Sequence, residues 1–208
     1  VHSAATGKAQ VESINNFIIN EVSLHKEFIG FGTIHPDYED FESELKRIKT
    51  AGLKGIKLHA DFQKFQMDEE RMDPVYEVCA SLGLIVLAHA GDYRFDYTGP
   101  KRLLNLHKKH PNLKFVAAHF GGYTEWEQAY EYLAGENIYF DTSSTLWKLS
   151  LDKTMKMIDK HGTDKFLFGS DYPMWDHSDE LARFNTLKIS QKEKEDILYN
   201  NAKKLLEL

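Results

Sequence analysis

The chain switches repeatedly between two hydrophobic periods. Apolar runs of a few residues, bounded by Gly, Pro or polar clusters, fall at 28–35, 55–59, 84–89, 114–119, 138–144 and 165–173. Short uninterrupted runs of this kind suit strands covered on both faces, as in parallel sheets. Between them the apolar positions take the spacing of helices. Val11, Ile14, Phe17, Ile18 and Val22 share one face of a helix over 10–26, and Leu45 and Ile48 face inward from one over 41–50, with Gly52 as a left-handed cap. Asp73 and Pro74 open the next helix as N-cap and first-turn residue, and Gly83 closes it. Another runs from Pro100 to His110. Thr124 with Glu127 has capping-box spacing and opens a helix that stops at Gly135, while Ser150 caps one reaching Lys160 with Gly162 behind it. Ser178 and Ser190 begin two terminal helices, the second supported by Glu193.

Strand ends thus recur near 35, 59, 89, 119, 141 and 171, each gap holding a helix. A parallel sheet of such βα units is either doubly wound or closed into a barrel. No Gly-x-Gly-x-x-Gly or Gly-x-x-x-x-Gly-Lys-[Ser/Thr] loop follows any strand, so nucleotide-binding doubly wound folds lack their usual signature. Polar, reactive residue types at successive strand ends favour the α/β class in its (β/α)₈ TIM-barrel form, whose site is assembled at the C-terminal ends of the strands.

Composition narrows the partners. The chain has 208 residues, 42% hydrophobic and 28% charged, which suits one domain over 1–208 with one good-sized core. Twenty-six Lys and Arg stand against 32 Asp and Glu, for a net charge of −6, and no basic cluster stands out, so neither nucleic acid nor an anionic membrane is expected as a partner. No apolar run approaches the roughly 20 residues that span a bilayer, and a cytoplasmic protein is expected. The single cysteine, Cys79, cannot form an internal disulfide and lies in a helical pattern as a core residue, with a nucleophile as the weaker alternative.

The ten histidines are not equivalent. His25, His107, His110 and His161 lie in or at the ends of helices, where a cation complements the dipole. His2, His35, His59, His89 and His119 all occupy strand ends, with His89 and His119 the strongest functional candidates. A further strand end, Phe168-Gly-Ser-Asp171-Tyr-Pro173, presents a carboxylate. Imidazoles and a carboxylate on one rim suit Zn²⁺ or a similar ion with a position left open for water or substrate. His89 and Asp171 are the expected metal ligands; a turn residue is the alternative for Asp171. Asp141 reads either as an acceptor behind an imidazole or, in preference, as an Asx turn. Tyr93, Tyr97, Tyr123, Trp126 and Trp175 crowd the loops after the strands, a lining that suits a planar substrate. Arg94 is a carboxylate fork or, equally, a surface ion pair.

These residues resemble the amidohydrolase superfamily, in its branch of metal-dependent hydrolases and nonoxidative decarboxylases of the aminocarboxymuconate-semialdehyde decarboxylase type. The similar pieces are Gly55-Ile-Lys-Leu-His59, Leu87-Ala-His89-Ala-Gly91, Ala118-His119-Phe-Gly-Gly122, Tyr139-Phe-Asp-Thr-Ser143, Phe168-Gly-Ser-Asp171-Tyr-Pro173 and Asn201-Ala-Lys-Lys-Leu-Leu206. The resemblance implies a distorted TIM barrel in which His89 binds metal after the fifth strand and Asp171 serves as ligand or general base after the eighth. It implies that His119, after the sixth, polarises substrate or carries a proton.

The His-x-His or Glu-x-His pair that the resemblance places after strand one is not found in this chain. Val1 to Ser3 then reads as the tail of strand two, and strand one is expected upstream of the given residues. The expected function is a metal-dependent hydrolase acting on a small carboxylated or cyclic substrate. Asp171 and His119 are its catalytic residues, His89 and Asp171 its metal ligands, and His59, Arg94, Tyr93 and Trp175 its substrate contacts. Zinc is the expected ion, with manganese the alternative. A nonoxidative decarboxylase of an aromatic or unsaturated acid is the competing enzyme reading, and a metal-free binding barrel the reading of another class. The partners expected are a small-molecule substrate and, because an open seam would favour pairing, a second copy of the chain.

Overall fold

A computed structural model describes all 208 residues. Six short parallel strands follow one another in chain order: β1 (Phe31–Thr33), β2 (Gly55–Leu58), β3 (Ile85–Ala88), β4 (Phe115–Ala117), β5 (Tyr139–Asp141) and β6 (Phe166–Leu167). The helices between them are α1 (Val11–Leu24), α2 (Phe41–Thr50), α3 (Ala60–Gln63), α4 (Asp73–Leu82), α5 (Pro100–Lys109), α6 (Trp126–Tyr132) and α7 (Leu151–His161). After β6 come α8 (His177–Asn185), α9 (Gln191–Glu195) and α10 (Asn201–Leu206). The chain divides into two compact units, one of Val1–His89 with Asp96–Thr98 and Asn105–Phe115, the other of Ala90–Phe95, Gly99–Leu104 and Val116–Leu208.

In the first unit β1 pairs with β2 and β2 with β3, all parallel, and His2 bridges in parallel to Phe31, as the tail of a strand would. Every residue of β2 is buried, the pattern of a strand covered on both faces. Gly55 is required there, since a Cβ would lie 2.1 Å from the Ile85 carbonyl oxygen and 2.5 Å from the Phe31 ring. The buried face of α1 differs from the expected one. Phe17 is 61% exposed, and Asn15 is fully buried in the stripe with Val11 and Ile18. The cause is a polar anchor: the Asn15 amide receives the Thr33 N–H at 2.7 Å, donates to the Thr33 carbonyl at 3.0 Å and reaches Glu44, which Arg47 holds by a two-point ion pair. Cys79 is a core residue, its thiol pushed up to about 12 by burial.

In the second unit β4 pairs with β5 and β5 with β6. Phe120, Phe140 and Phe166 are fully buried and pack edge to face or tilted at 4.8 and 5.7 Å, each burial worth roughly 1.5–3 kcal/mol. His161 stacks flat on Phe140 at 3.9 Å, accepts the Gly135 N–H on Nδ1, and burial drives its pKa down to about 4. It is therefore a neutral core residue and not the helix-end cation that its position suggests. A π-turn over Asp196–Asn200 leads into α10, whose Asn201 donates to the carbonyls of Thr163 and Phe166 and ties the C-terminal helix to β6.

Three helix starts depart from expectation. Thr124 makes no capping box: it sits at φ 62, and Glu125 is the N-cap of α6 while Glu127 pairs with Lys153. Asp176, not Ser178, caps α8. Asp73 is the first residue of α4 and holds Lys109 and His110. Ser150 and the Ser190–Glu193 box cap as expected. No helix is long and apolar enough to cross a membrane.

Candidate active site

His59, His89, His119 and Asp171 lie one to four residues beyond their ladders, because the strands are shorter than the apolar runs. In the first unit, Leu58 pairs with Ala88 at the ends of β2 and β3, so the next residues leave the sheet side by side. The His59 and His89 rings stack at 4.0 Å with planes 8° apart, and Phe62 covers the other face of His59 at 3.9 Å. The chain then turns at once into α3, with His59 as its N-cap residue. That turn returns Asp61 to the two rings, its Oδ2 lying 3.4 Å from His89 Nε2 and 4.0 Å from His59 Nδ1. The Thr98 hydroxyl donates to the Asp61 carboxylate at 3.2–3.3 Å. Gln63 braces the turn, accepting the His59 N–H and donating to the carbonyls of Ala5 and Ile34.

The potential ligand atoms of His59, Asp61 and His89 all lie within 4.8 Å of one another. Two imidazoles and one carboxylate, mostly buried and held from behind, are a donor set that suits zinc, manganese or iron. The residues present therefore fit a divalent cation. The sequence alone does not single out Asp61, although His59-Ala-Asp61 immediately after a strand end has the ligand-x-ligand spacing of a His-x-His pair. His59, expected to touch substrate, belongs to this donor group.

In the second unit the backbone is turned sharply at both expected catalytic residues. His119 and Phe120 have φ of 60 and 55, and Asp171 has φ 59, left-handed values that cost non-glycine residues energy and that cluster at functional sites. Asp141 holds the first turn: its Oδ1 accepts the N–H groups of His119 at 2.9 Å and of Ser143 at 3.0 Å, and also the Ser143 hydroxyl. It is thus the expected Asx turn, and it also stands behind an imidazole through Ser143. His119 Nδ1 lies 2.9 Å from Ser143 Oγ and 3.2 Å from the Ser143 carbonyl oxygen. Its backbone carbonyl accepts from Trp126 Nε1, and the Tyr123 ring meets it edge-on at 5.8 Å.

Asp171 is held by the neighbouring serine. The Ser144 hydroxyl donates to Asp171 Oδ2 at 2.6 Å and accepts from Trp175 Nε1 at 3.0 Å. Trp175 is sandwiched between Trp147, at 5.2 Å, and the Arg183 guanidinium, also at 5.2 Å, and Arg183 pairs with the fully buried Glu180.

Other candidates lie apart from these groups of contacts. Arg94 grips the buried Asp92 through Nε and Nη2, so its fork is engaged within the protein, and Tyr93 beside it is 75% exposed. His35 is buried with its pKa lowered by that burial, and accepts the Asp37 N–H in a turn.

No curated protein matches the chain by sequence, but solved structures match its fold. A 5-carboxyvanillate decarboxylase from Novosphingobium aromaticivorans, solved with manganese and a nitrobenzoic acid, superposes with a TM-score of 0.79 at 20% identity over 97% of this chain and 70% of its own. A dihydroxybenzoic acid decarboxylase from Polaromonas sp., with manganese and 2-nitroresorcinol bound, gives 0.78 at 18% identity over 99% and 78%. A TIM-barrel protein from Bordetella bronchiseptica gives 0.75 at 18% identity over 99% and 77%. Parallel strands in chain order with helices between them thus belong to the TIM-barrel class. The amidohydrolase family profile matches residues 4–208, and the chain belongs to the amidohydrolase family.

Proposed function

We propose that the protein is a divalent-metal-dependent, nonoxidative decarboxylase of an aromatic or unsaturated carboxylic acid. The observation that carries the reading is the His59, Asp61 and His89 donor group. It is supported by the decarboxylases among the proteins of similar fold, two of them solved with manganese. Manganese is accordingly the proposed ion, in place of the zinc expected from the sequence. A bound cation would supply positive charge that anchors and polarises an anionic oxygen of the substrate.

Decarboxylation replaces a carboxylate on carbon by hydrogen and releases carbon dioxide, so a proton must reach that carbon. The proposal assigns this transfer to His119, whose turn fixes the ring, with Asp171 as the second proton-handling group, oriented by Ser144. The substrate is a small molecule.

Hydrolysis by the same donor group is the second reading, favoured by the family to which the chain belongs. The two separate on product analysis. Manganese-loaded protein should release carbon dioxide from a dihydroxybenzoate or 5-carboxyvanillate without taking oxygen from labelled water. Hydrolysis of an ester or amide with label incorporation, and no carbon dioxide from aromatic acids, would replace this reading with the hydrolase one. Absence of any bound metal would favour the binding barrel.

A further inference from the structure

We infer that Ser143 is the positioning residue of His119, holding the neutral ring as the Nδ1–H tautomer so that Nε2 is the nitrogen that gains and loses the proton. Two groups of Ser143 favour this. The Ser143 carbonyl oxygen, 3.2 Å from Nδ1, can only accept, and at this longer distance it favours a hydrogen on Nδ1 without fixing it. The Ser143 hydroxyl has one proton and turns it to Asp141 Oδ1, an acceptor-only carboxylate oxygen, which leaves an Oγ lone pair for Nδ1 at 2.9 Å. The same oxygen of Asp141 fixes the backbone N–H groups of His119 and Ser143, so one carboxylate sets the turn, the serine hydroxyl and the ring. Thr145 adds a further donor to the Ser143 carbonyl at 2.9 Å, completing a network in which each member has one assigned role.

The consequence follows from the partner dictating the tautomer. When His119 is charged, both nitrogens carry hydrogen. The Nδ1–H stays with Ser143, and the proton delivered to substrate leaves Nε2, returning the ring to the neutral form that Ser143 stabilises. Without the hydroxyl, Nδ1 loses the shorter of its two contacts to Ser143, and the other tautomer becomes accessible.

This inference rests on the proton-carrying role proposed for His119, but it is tested without substrate. In the full chain labelled with ¹⁵N-histidine, and with the His119 signals identified by their loss in His119→Gln, Nδ1 should resonate as a hydrogen-bearing nitrogen and Nε2 as a bare one near neutral pH. In Ser143→Ala the two shifts should converge as the tautomers exchange, whereas Ser143→Thr, which keeps the hydroxyl, should stay near the wild-type pattern. A hydrogen-bearing Nε2 in the wild-type ring would overturn the inference, and so would an unchanged pattern in Ser143→Ala. The wild-type spectrum decides the tautomer even if the alanine variant does not fold. Absence of carbon dioxide release would sink the decarboxylase reading and leave the tautomer result standing.

Discussion

Asp61 sits in the first turn after a strand end, buried, with a carboxylate oxygen 3.4 Å from one stacked imidazole and 4.0 Å from the other. If these three residues hold the ion, Asp61→Asn or His89→Ala should weaken manganese binding by more than the ~10–100-fold that loss of an outer hydrogen-bond partner costs. Metal analysis after dialysis reads the change, and full retention in both variants would remove the assignment. His119→Asn should lower the rate of carbon dioxide release by about 10²–10⁴-fold, the usual contribution of a general acid, with metal content unchanged. His161 makes a prediction of another kind. Its folded pKa, about 4, lies below the ordinary 6.5 because of burial and nearby Lys165, opposed by a backbone hydrogen bond with Ile138 and by Asp164. Between those values the unfolded chain binds more protons than the folded one, so stability falls as pH drops from 6.5 towards 4, by up to about 3 kcal/mol. Urea midpoints across that range should show a shallower slope in His161→Gln, and an identical slope would exonerate this residue.

At the scale of elements, the sheet depends on close approach and the helices on their first turns. Gly55→Ala would drive a methyl group into the Ile85 carbonyl and the Phe31 ring, and overpacking of this sort costs roughly 1–3 kcal/mol or more. The caps separate what the sequence suggested from what forms. Asp176→Ala should destabilise by about 1 kcal/mol, because its carboxylate receives the Ser178 N–H. Ser178→Ala should be nearly neutral, and a larger loss for Ser178 than for Asp176 would contradict the observed helix start. The elements most easily read from sequence were those with clear end signals, such as α7, opened by the Ser150 cap, and α9, opened by the Ser190–Glu193 box. Strand ends were read too long, because an apolar run continues through residues that have already left the ladder. His119 and Asp171 show this best: their backbone turns left-handed where the apolar run before them suggests continued extension.

For the whole molecule, an ion that binds only the folded chain must stabilise it. At a free manganese concentration one hundred times Kd the gain is about 2.7 kcal/mol, visible as an upward shift of the urea midpoint that a chelator reverses and His89→Ala abolishes. No shift in wild type would argue for the metal-free barrel. The order of apolar runs, the helical faces between them and the residue types at strand ends determined the α/β repeat, the TIM-barrel class and the candidacy of His89, His119 and Asp171. These are properties of pattern, and pattern survives in one dimension. Only the tertiary structure decided which side chains meet: that Asp61 turns back onto His59 and His89, that Arg94 closes on Asp92, and that adjacent serines serve different partners, Ser143 for His119 and Ser144 for Asp171. The physical reason is that hydrogen bonds and metal-ligand geometry act over about 3 Å, a distance set by strand register and by single left-handed residues, and neither leaves a periodic trace in the sequence.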